Sequence, residues 1–289
     1  MRLAVLGIGL MGYPIARRLC QAGHCVQVWN RTLHKAQRLL PDGAAVHQSP
    51  VAAVAQAELV VTMLEDGAVV EEVLFGMGTA TAMSPGSTLV DMSSIRPEQA
   101  RDHAARLAEL GIAYLDAPVS GGTIGAEHGT LAIMAGGAAA DFERALPVLA
   151  ILGRATHVGP TGSGQMAKLA NQMIVGTTIG VVAEALLLCE RAGADIVRVR
   201  EALAGGFADS RVLQVHGQRM VERDFAPRGR MTVQLKDLRN ALSCASAASF
   251  DAPITTLLEQ LYAQGVAHGL ADRDQSALFL ELAQRNGME

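Results

Sequence analysis

The sequence is poor in aromatic residues: Phe, Trp and Tyr together make up 3% of its 289 residues. Single-stranded nucleic acid is gripped by stacking bases on such rings, so this composition argues against that partner. Nor is there a basic excess to hold a phosphate backbone, since the formal charge is −4. No long run of either sign occurs. The four cysteines, Cys20, Cys25, Cys189 and Cys244, form no C-x-x-C or zinc-type spacing and read as buried thiols in a reducing compartment. The eight histidines are scattered without an H-x-x-x-H pair, and no metal site is expected. A signal peptide is not legible either. Arg2 precedes an apolar run, but Gly7, Gly9, Gly12 and Pro14 interrupt it and no small-x-small site follows. Residues 169–189 are long enough to span a membrane, yet they hold Asn171, Gln172, Thr177, Thr178 and Glu184, which favours a core helix. The expectation is a soluble, cytosolic protein with no nucleic-acid or membrane partner.

Apolar residues, by contrast, make up half the chain, enough for a sizeable core in one large or two modest domains. Short apolar runs predict strands at 2–6, 25–29, 59–63, 88–91, 114–119, 131–134 and 155–158. Helical patterns lie between many of them: from Gly12 to about Gln21, then 33–40, 50–56, 67–74, 97–110 and 139–152. Strands alternating with helices predict a parallel sheet covered on both faces. From Gln165 onward only helices are predicted, at 165–191, 195–204, 209–222, 231–248, 254–268 and 275–285. Asp195, Asp209 and Asp274 stand where N-caps belong, and Gly193 and Gly287 where C-terminal caps belong. The expected architecture is an α/β Rossmann-type domain over 1–162 and an all-α domain over 163–289, opened by a long interdomain helix at about 165–191.

Three motifs carry chemistry. Gly7-Ile8-Gly9-Leu10-Met11-Gly12 follows a strand and opens a helix, the context a dinucleotide-binding G-x-G-x-x-G requires. Gly7 permits the turn, Gly9 lets the backbone approach a pyrophosphate, and Gly12 allows close helix–strand packing. The next strand ends in Trp29-Asn30-Arg31-Thr32, without the Asp or Glu that binds an adenosine ribose 2′-hydroxyl. Arg31, helped by Asn30 and Thr32, suits a 2′-phosphate instead, so NADP(H) is preferred with NAD(H) possible. The second motif, Asp116-Ala117-Pro118-Val119-Ser120-Gly121-Gly122, offers backbone N–H groups and the Ser120 hydroxyl to a carboxylate. In the third, the glycine turn Gly162-Ser163-Gly164 leads into a helix carrying Lys168, with Asn171 and Gln172 three and four residues on. Those offsets share one helix face. Around them the helix is apolar almost all round, which predicts burial.

The three motifs, in this order and together with a Lys236-Asp237 pair, resemble the β-hydroxyacid dehydrogenase family over essentially the whole chain. Its distant relative is 6-phosphogluconate dehydrogenase. The resemblance implies that fold, with Lys168 as the catalytic lysine. It implies that Ser120, Gly121 and Gly122 hold a substrate carboxylate and that Asn171 or Gln172 orients the substrate. Ser94 matches a contact on the nicotinamide side, Met63 and Leu64 match backbone contacts to the cofactor, and Lys236 a cofactor-side lysine, with Asp237 organising the cleft. It further implies a homodimer or homotetramer built partly on the long helix. The reaction it implies interconverts a small β-hydroxy acid and its semialdehyde or keto acid. Hydride passes to or from the nicotinamide while Lys168 accepts or returns the hydroxyl proton, and burial lowers its pKa toward the working pH. An imine reductase of the same architecture would commonly lack the lysine. A dinucleotide-binding homologue without catalysis would not need Lys168, Asn171 and Ser120 intact.

Overall fold

Strand β1 (Arg2–Leu6) buries Leu3 and Val5 in one apolar cluster and Ala4 and Leu6 in another. Alternate residues point to opposite faces, so a strand apolar throughout must be covered on both. The same holds for β2 (Cys25–Trp29), β4 (Leu59–Thr62) and β5 (Thr88–Asp91). In the computed structural model, which describes residues 1–288, these strands lie in one sheet of a first compact unit, Met1–Lys168. The remaining strands are β3 (Ala45–Val46), β6 (Ala113–Asp116), β7 (Val119–Ser120), β8 (Leu131–Gly136) and β9 (Gly153–Gly159). The order is β3-β2-β1-β4-β5-β6-β8-β7, with β9 on β8. Helices α1 (Gly12–Gln21), α2 (Leu33–Gln37), α3 (Pro50–Val54), α4 (Gly67–Glu71), α5 (Thr79–Ala82), α6 (Pro97–Glu109), α7 (Gly122–His128) and α8 (Ala139–Leu152) link the strands.

The sheet departs from the predicted all-parallel one at one edge. From β3 to β6 every pairing is parallel, but β8 runs antiparallel to both β6 and β7, and β9 parallel to β8. A parallel return needs a crossover of a dozen or more residues, and the link through α7 is too short for one. The predicted strand 114–119 breaks into β6 and β7 around Pro118, which has no N–H for a ladder. The predicted helix 67–74 ends as α4 and widens into a five-residue turn at Glu72–Gly76.

Register fixes the level of the functional segments. Leu6 pairs with Trp29 and with Thr62, Thr62 with Asp91, and Asp91 with Asp116. These residues form one row at the carboxyl edge of the sheet. Gly7, Asn30, Met63, Met92 and Ala117 each come next after the row, where open α/β sheets bind ligands.

The second unit, from Leu169 onward, is helical. Its helices are α9 (Ser163–Arg191, begun in the first unit), α10 (Ile196–Leu203), α11 (Gln218–Glu222), α12 (Met231–Ala247), α13 (Pro253–Gly265) and α14 (Leu278–Arg285). Ile179, Ala183, Leu186 and Leu187 of α9 share a core with Leu238, Leu258, Tyr262 and Phe279. Gly180 lets α13 close in, since a Cβ there would lie 2.9 Å from Leu258 Cδ1. The expectation that α9 is buried all round is corrected: Ile174, Val181 and Leu188 are 68%, 60% and 69% exposed. Their seven-residue spacing keeps them on one stripe.

Asp195 and Asp274 cap as expected, accepting from Val197 N and Ser276 N at 2.9 and 3.1 Å. Asp209 does not; it accepts from Gly205 N, and Ser210 Oγ takes the capping bond from Leu213 N. Gly193 and Gly287 have the left-handed φ of helix-ending residues. The cysteines are not buried thiols: Cys25 is exposed and the other three are half-buried.

Candidate active site

The glycine turn is required sterically. Gly7 has φ +99°, and a Cβ on it would strike the Met63 carbonyl oxygen. A Cβ on Gly12 would overlap the Gly7 carbonyl oxygen, whereas one on Gly9 would meet nothing within 4 Å. The turn is closed on its inner side and open at its middle glycine, as a cradle for a pyrophosphate must be. Among the described residues no side chain caps the start of α1, which leaves its positive dipole end to an anion, while Tyr13 and Ile15 already give their N–H groups to Gly9 O and Met11 O. Leu10 is 69% exposed, and Met11 packs against the core. Ile8 and Asn30 are engaged within the turn itself. The Ile8 side chain is buried, its N–H donates to Asn30 Oδ1 at 3.0 Å, and Asn30 Nδ2 donates to Thr32 O. Asn30 therefore braces the turn, while Arg31 and Thr32 are exposed beside it.

Behind the carboxyl edge lies a buried polar network that no sequence motif announces. Asp91 Oδ1 accepts from Thr62 Oγ1 (2.8 Å) and Ser93 N (3.0 Å), and Asp91 Oδ2 from Tyr114 OH (3.3 Å). Ser93 Oγ in turn accepts from Leu64 N at 2.9 Å, joining the Met63–Leu64 and Ser93–Ser94 segments. Burial pushes the Asp91 carboxyl up, against the hydrogen bonds from Ser93 and Thr62. Burial and the neighbouring Asp91 and Asp116 push the Tyr114 phenol well above its ordinary value. Asp116 accepts from Gly162 N and Gln165 N, both at 2.8 Å, at the start of α9. Burial raises it to about 6, with those two N–H groups pulling the other way. A carboxylate closing an apolar run was the available signal for both residues.

The turn at 120 and Lys168 come together. Lys168 Nζ donates to Val119 O at 2.9 Å, which sets the ammonium beside Ser120. Gly121 and Gly122 are exposed at φ +131° and +62°, conformations that glycine adopts readily. Gly164 is forced by packing, because a Cβ there would strike the carbonyl oxygens of Asp116 and Met134. An amine anchored next to a hydroxyl and two glycines can meet both the carboxylate and the oxygen of a small hydroxy acid.

The amides one turn further along α9 belong to the second unit and differ from each other. Gln172 is buried, donating from Nε2 to Gln234 Oε1 (2.9 Å) and Asp237 Oδ2 (2.8 Å). Asn171 is half-buried and donates to Gln172 Oε1 at 2.8 Å. Lys236 lies 3.4 Å from Asp237 Oδ1. Elsewhere in the first unit, Glu71, Asp102 and His103 come close enough to suggest a cation site. Arg106 already bridges both carboxylates there, at 2.8 and 3.2 Å, so the cluster is an ion-pair network.

Comparison with known proteins agrees with this fold. Residues 2–162 match the model of the NAD-binding domain of 6-phosphogluconate dehydrogenase. Residues 162–282 match that of the NAD-binding region of NADP-dependent 3-hydroxyisobutyrate dehydrogenase. The chain is 46% identical over 281 residues, 96% of each protein, to 2-hydroxy-3-oxopropionate reductase of Escherichia coli (strain K12). A 3-hydroxyisobutyrate dehydrogenase of Salmonella typhimurium superposes with TM-score 0.90 at 29% identity, covering 97% of this chain and 99% of that one. The Mycobacterium tuberculosis 3-hydroxyisobutyrate dehydrogenase with L-serine superposes with TM-score 0.87 at 33% identity, covering 97% and 98%.

Proposed function

The chain belongs to the β-hydroxyacid dehydrogenase family and is an NAD(P)-dependent oxidoreductase; from that premise we propose that it is an NADPH-preferring reductase of a small carboxylate-bearing semialdehyde, tartronate semialdehyde or a close analogue. The observation that carries the proposal is the Lys168 ammonium held on Val119 O, beside Ser120, Gly121 and Gly122. The name of the 46% identical relative supports the substrate class, since 2-hydroxy-3-oxopropionate is tartronate semialdehyde.

The glycine turn Gly7–Gly12 holds the pyrophosphate, and the backbone at Met63 and Leu64, with Ser94, meets the rest of the coenzyme. Arg31 and Thr32 take the 2′-phosphate, and Lys236 lies on the coenzyme side. When bound, NADPH supplies the hydride that reduces the carbonyl carbon. Ser120 and the N–H groups of Gly121 and Gly122 hold the substrate carboxylate. Lys168 donates the proton that converts the carbonyl oxygen to a hydroxyl and stabilises the charge developing on it. Of the two amides, Asn171 is the substrate-orienting one, because Gln172 is buried and bonded to Gln234 and Asp237. The subunits associate through the exposed stripe of α9 into a homo-oligomer.

Coenzyme oxidation followed with glyoxylate, succinic semialdehyde and tartronate semialdehyde tests the proposal. Tartronate semialdehyde is expected to give the largest kcat/KM, with NADPH preferred over NADH. Turnover of cyclic imines but of none of these aldehydes would overturn it in favour of an imine reductase. Equal kcat/KM for the two coenzymes would remove the coenzyme preference alone.

A further inference from the structure

Gln165 is fully buried, at 0% exposure, in the first turn of α9, one turn before Lys168. It carries no charge and faces no solvent, yet each of its polar groups is committed. Its side-chain oxygen accepts from Ile95 N at 3.1 Å and its amide nitrogen donates to Ser93 O at 2.8 Å. Its own N–H donates to Asp116 Oδ2 at 2.8 Å, while Asp116 Oδ1 accepts from Gly162 N at the same distance. One residue thus ties together the segment carrying Ser94, the strand leading into the turn at Ser120, and the helix bearing Lys168. Two backbone bonds on either side of Ser94, made by one planar amide, fix both the axial position and the rotation of that helix.

We propose that Gln165, with Asp116, is a positioning residue that holds Lys168 in register with the Ser93–Ile95 segment. The inference rests on the function proposed above. Lys168 and the nicotinamide-side segment must agree in position to within a fraction of an ångström for hydride and proton transfer to coincide. A misplacement of about 1 Å can cost on the order of 10²-fold in rate.

The test uses Gln165→Leu and Gln165→Glu in the full-length protein. Gln165→Leu removes both side-chain bonds at similar volume. It is expected to lower kcat on the order of 10²-fold. The KM for the semialdehyde and the affinity for NADPH, read by fluorescence, are expected to change much less. With coenzyme deuterated at the transferred position, the isotope effect on kcat is expected to rise toward its intrinsic value as hydride transfer becomes limiting.

Gln165→Glu distinguishes positioning from mere stability. A protonated carboxyl can reproduce both bonds, accepting from Ile95 N and donating to Ser93 O, whereas a carboxylate repels the Ser93 carbonyl. Burial raises the pKa of such a group, so kcat of this variant is expected to recover as pH falls from about 7.5 to 5.5. Gln165→Leu stays low throughout. The groups facing this cluster are Asp91 on β5, Tyr114 and Asp116 on β6, His103 on α6 acting on Asp91 through space, and Lys168 further along α9. The wild-type profile over the same range carries their shared contribution and is the reference. Wild-type kcat and isotope effect in Gln165→Leu, or a Gln165→Glu profile parallel to wild type, would overturn the positioning role and leave the proposed function standing. Absence of wild-type turnover on every semialdehyde would overturn both.

Discussion

Lys168 gains its assignment from its bond to the carbonyl of Val119, which anchors its ammonium at the glycine turn. Lys168→Ala is expected to lower kcat about 10²–10⁴-fold, the usual worth of a general acid. NADPH affinity is expected to stay near wild type, so steady-state kinetics beside coenzyme titration checks the assignment. Its two amide neighbours are expected to fail differently. Asn171→Ala removes a half-exposed group and acts mainly on kcat/KM for the semialdehyde. Gln172→Leu takes the Nε2 donor away from Gln234 Oε1 and Asp237 Oδ2 in a buried site, and losing a buried partner of this kind costs about 1–3 kcal/mol. Urea denaturation is therefore expected to separate the pair, with Gln172→Leu less stable and Asn171→Ala unchanged. The sequence left these two amides equivalent, because i+3 and i+4 share a helix face; only burial and the partners from α12 tell them apart.

At the scale of elements, what could be read from the sequence is what local pattern dictates. Strands β1, β2 and β4 are apolar at nearly every position, and α6, α8 and α12 run within a residue or two of their predicted spans. The two-residue strands β3 and β7 are too short for any periodicity, and so is the four-residue α5. The antiparallel edge was hidden because pairing depends on a partner far away in sequence. The motif glycines were legible at Gly7, Gly9 and Gly12, whereas Asp91, Asp116 and Gln165 were not. A carboxylate at a strand end looks like a boundary until the register places it under a neighbouring helix. The glycine turn yields its own prediction. In Gly12→Ala the added methyl meets the Gly7 carbonyl, which is backbone and cannot rotate away. Overpacking of this kind costs about 1–3 kcal/mol. Coenzyme binding, read by fluorescence, is expected to fall further than the loss of stability alone would produce.

For the whole molecule, two buried carboxyls make stability depend on pH in separate windows. Asp116 is raised by burial from 3.8 to about 6, so the folded state holds its proton more tightly than the unfolded chain. Its contribution is therefore most favourable below its ordinary value and is lost as pH rises toward 6, by about 3 kcal/mol in full. Asp274 behaves oppositely. Burial pushes it up, but bonds from His216 and Ser276 and the charge of Arg219 outweigh that and hold it low. Its contribution is present above its ordinary value and is lost only in stronger acid. Urea denaturation between pH 4 and 7 is expected to show the wild type losing stability relative to Asp116→Asn as pH rises. Parallel curves would rule out a titrating Asp116. Association is expected to depend on the α9 stripe. Val181→Glu puts a charge at its centre, and light scattering should then report monomer where the wild type gives an oligomer.

The row of paired residues Leu6, Trp29, Thr62, Asp91 and Asp116 has a further consequence, in what the chain can tolerate. The segments at Gly7, Asn30–Thr32, Met63–Leu64 and Ser93–Ser94 leave the sheet from that edge. The links at the opposite edge, such as Gly86 and Gly111 with their shared backbone bond, hold only the scaffold. Inserted residues or a fused tag at those links sit a full strand length from the reacting groups. Change can accumulate on that side over generations without being felt by the chemistry on the other.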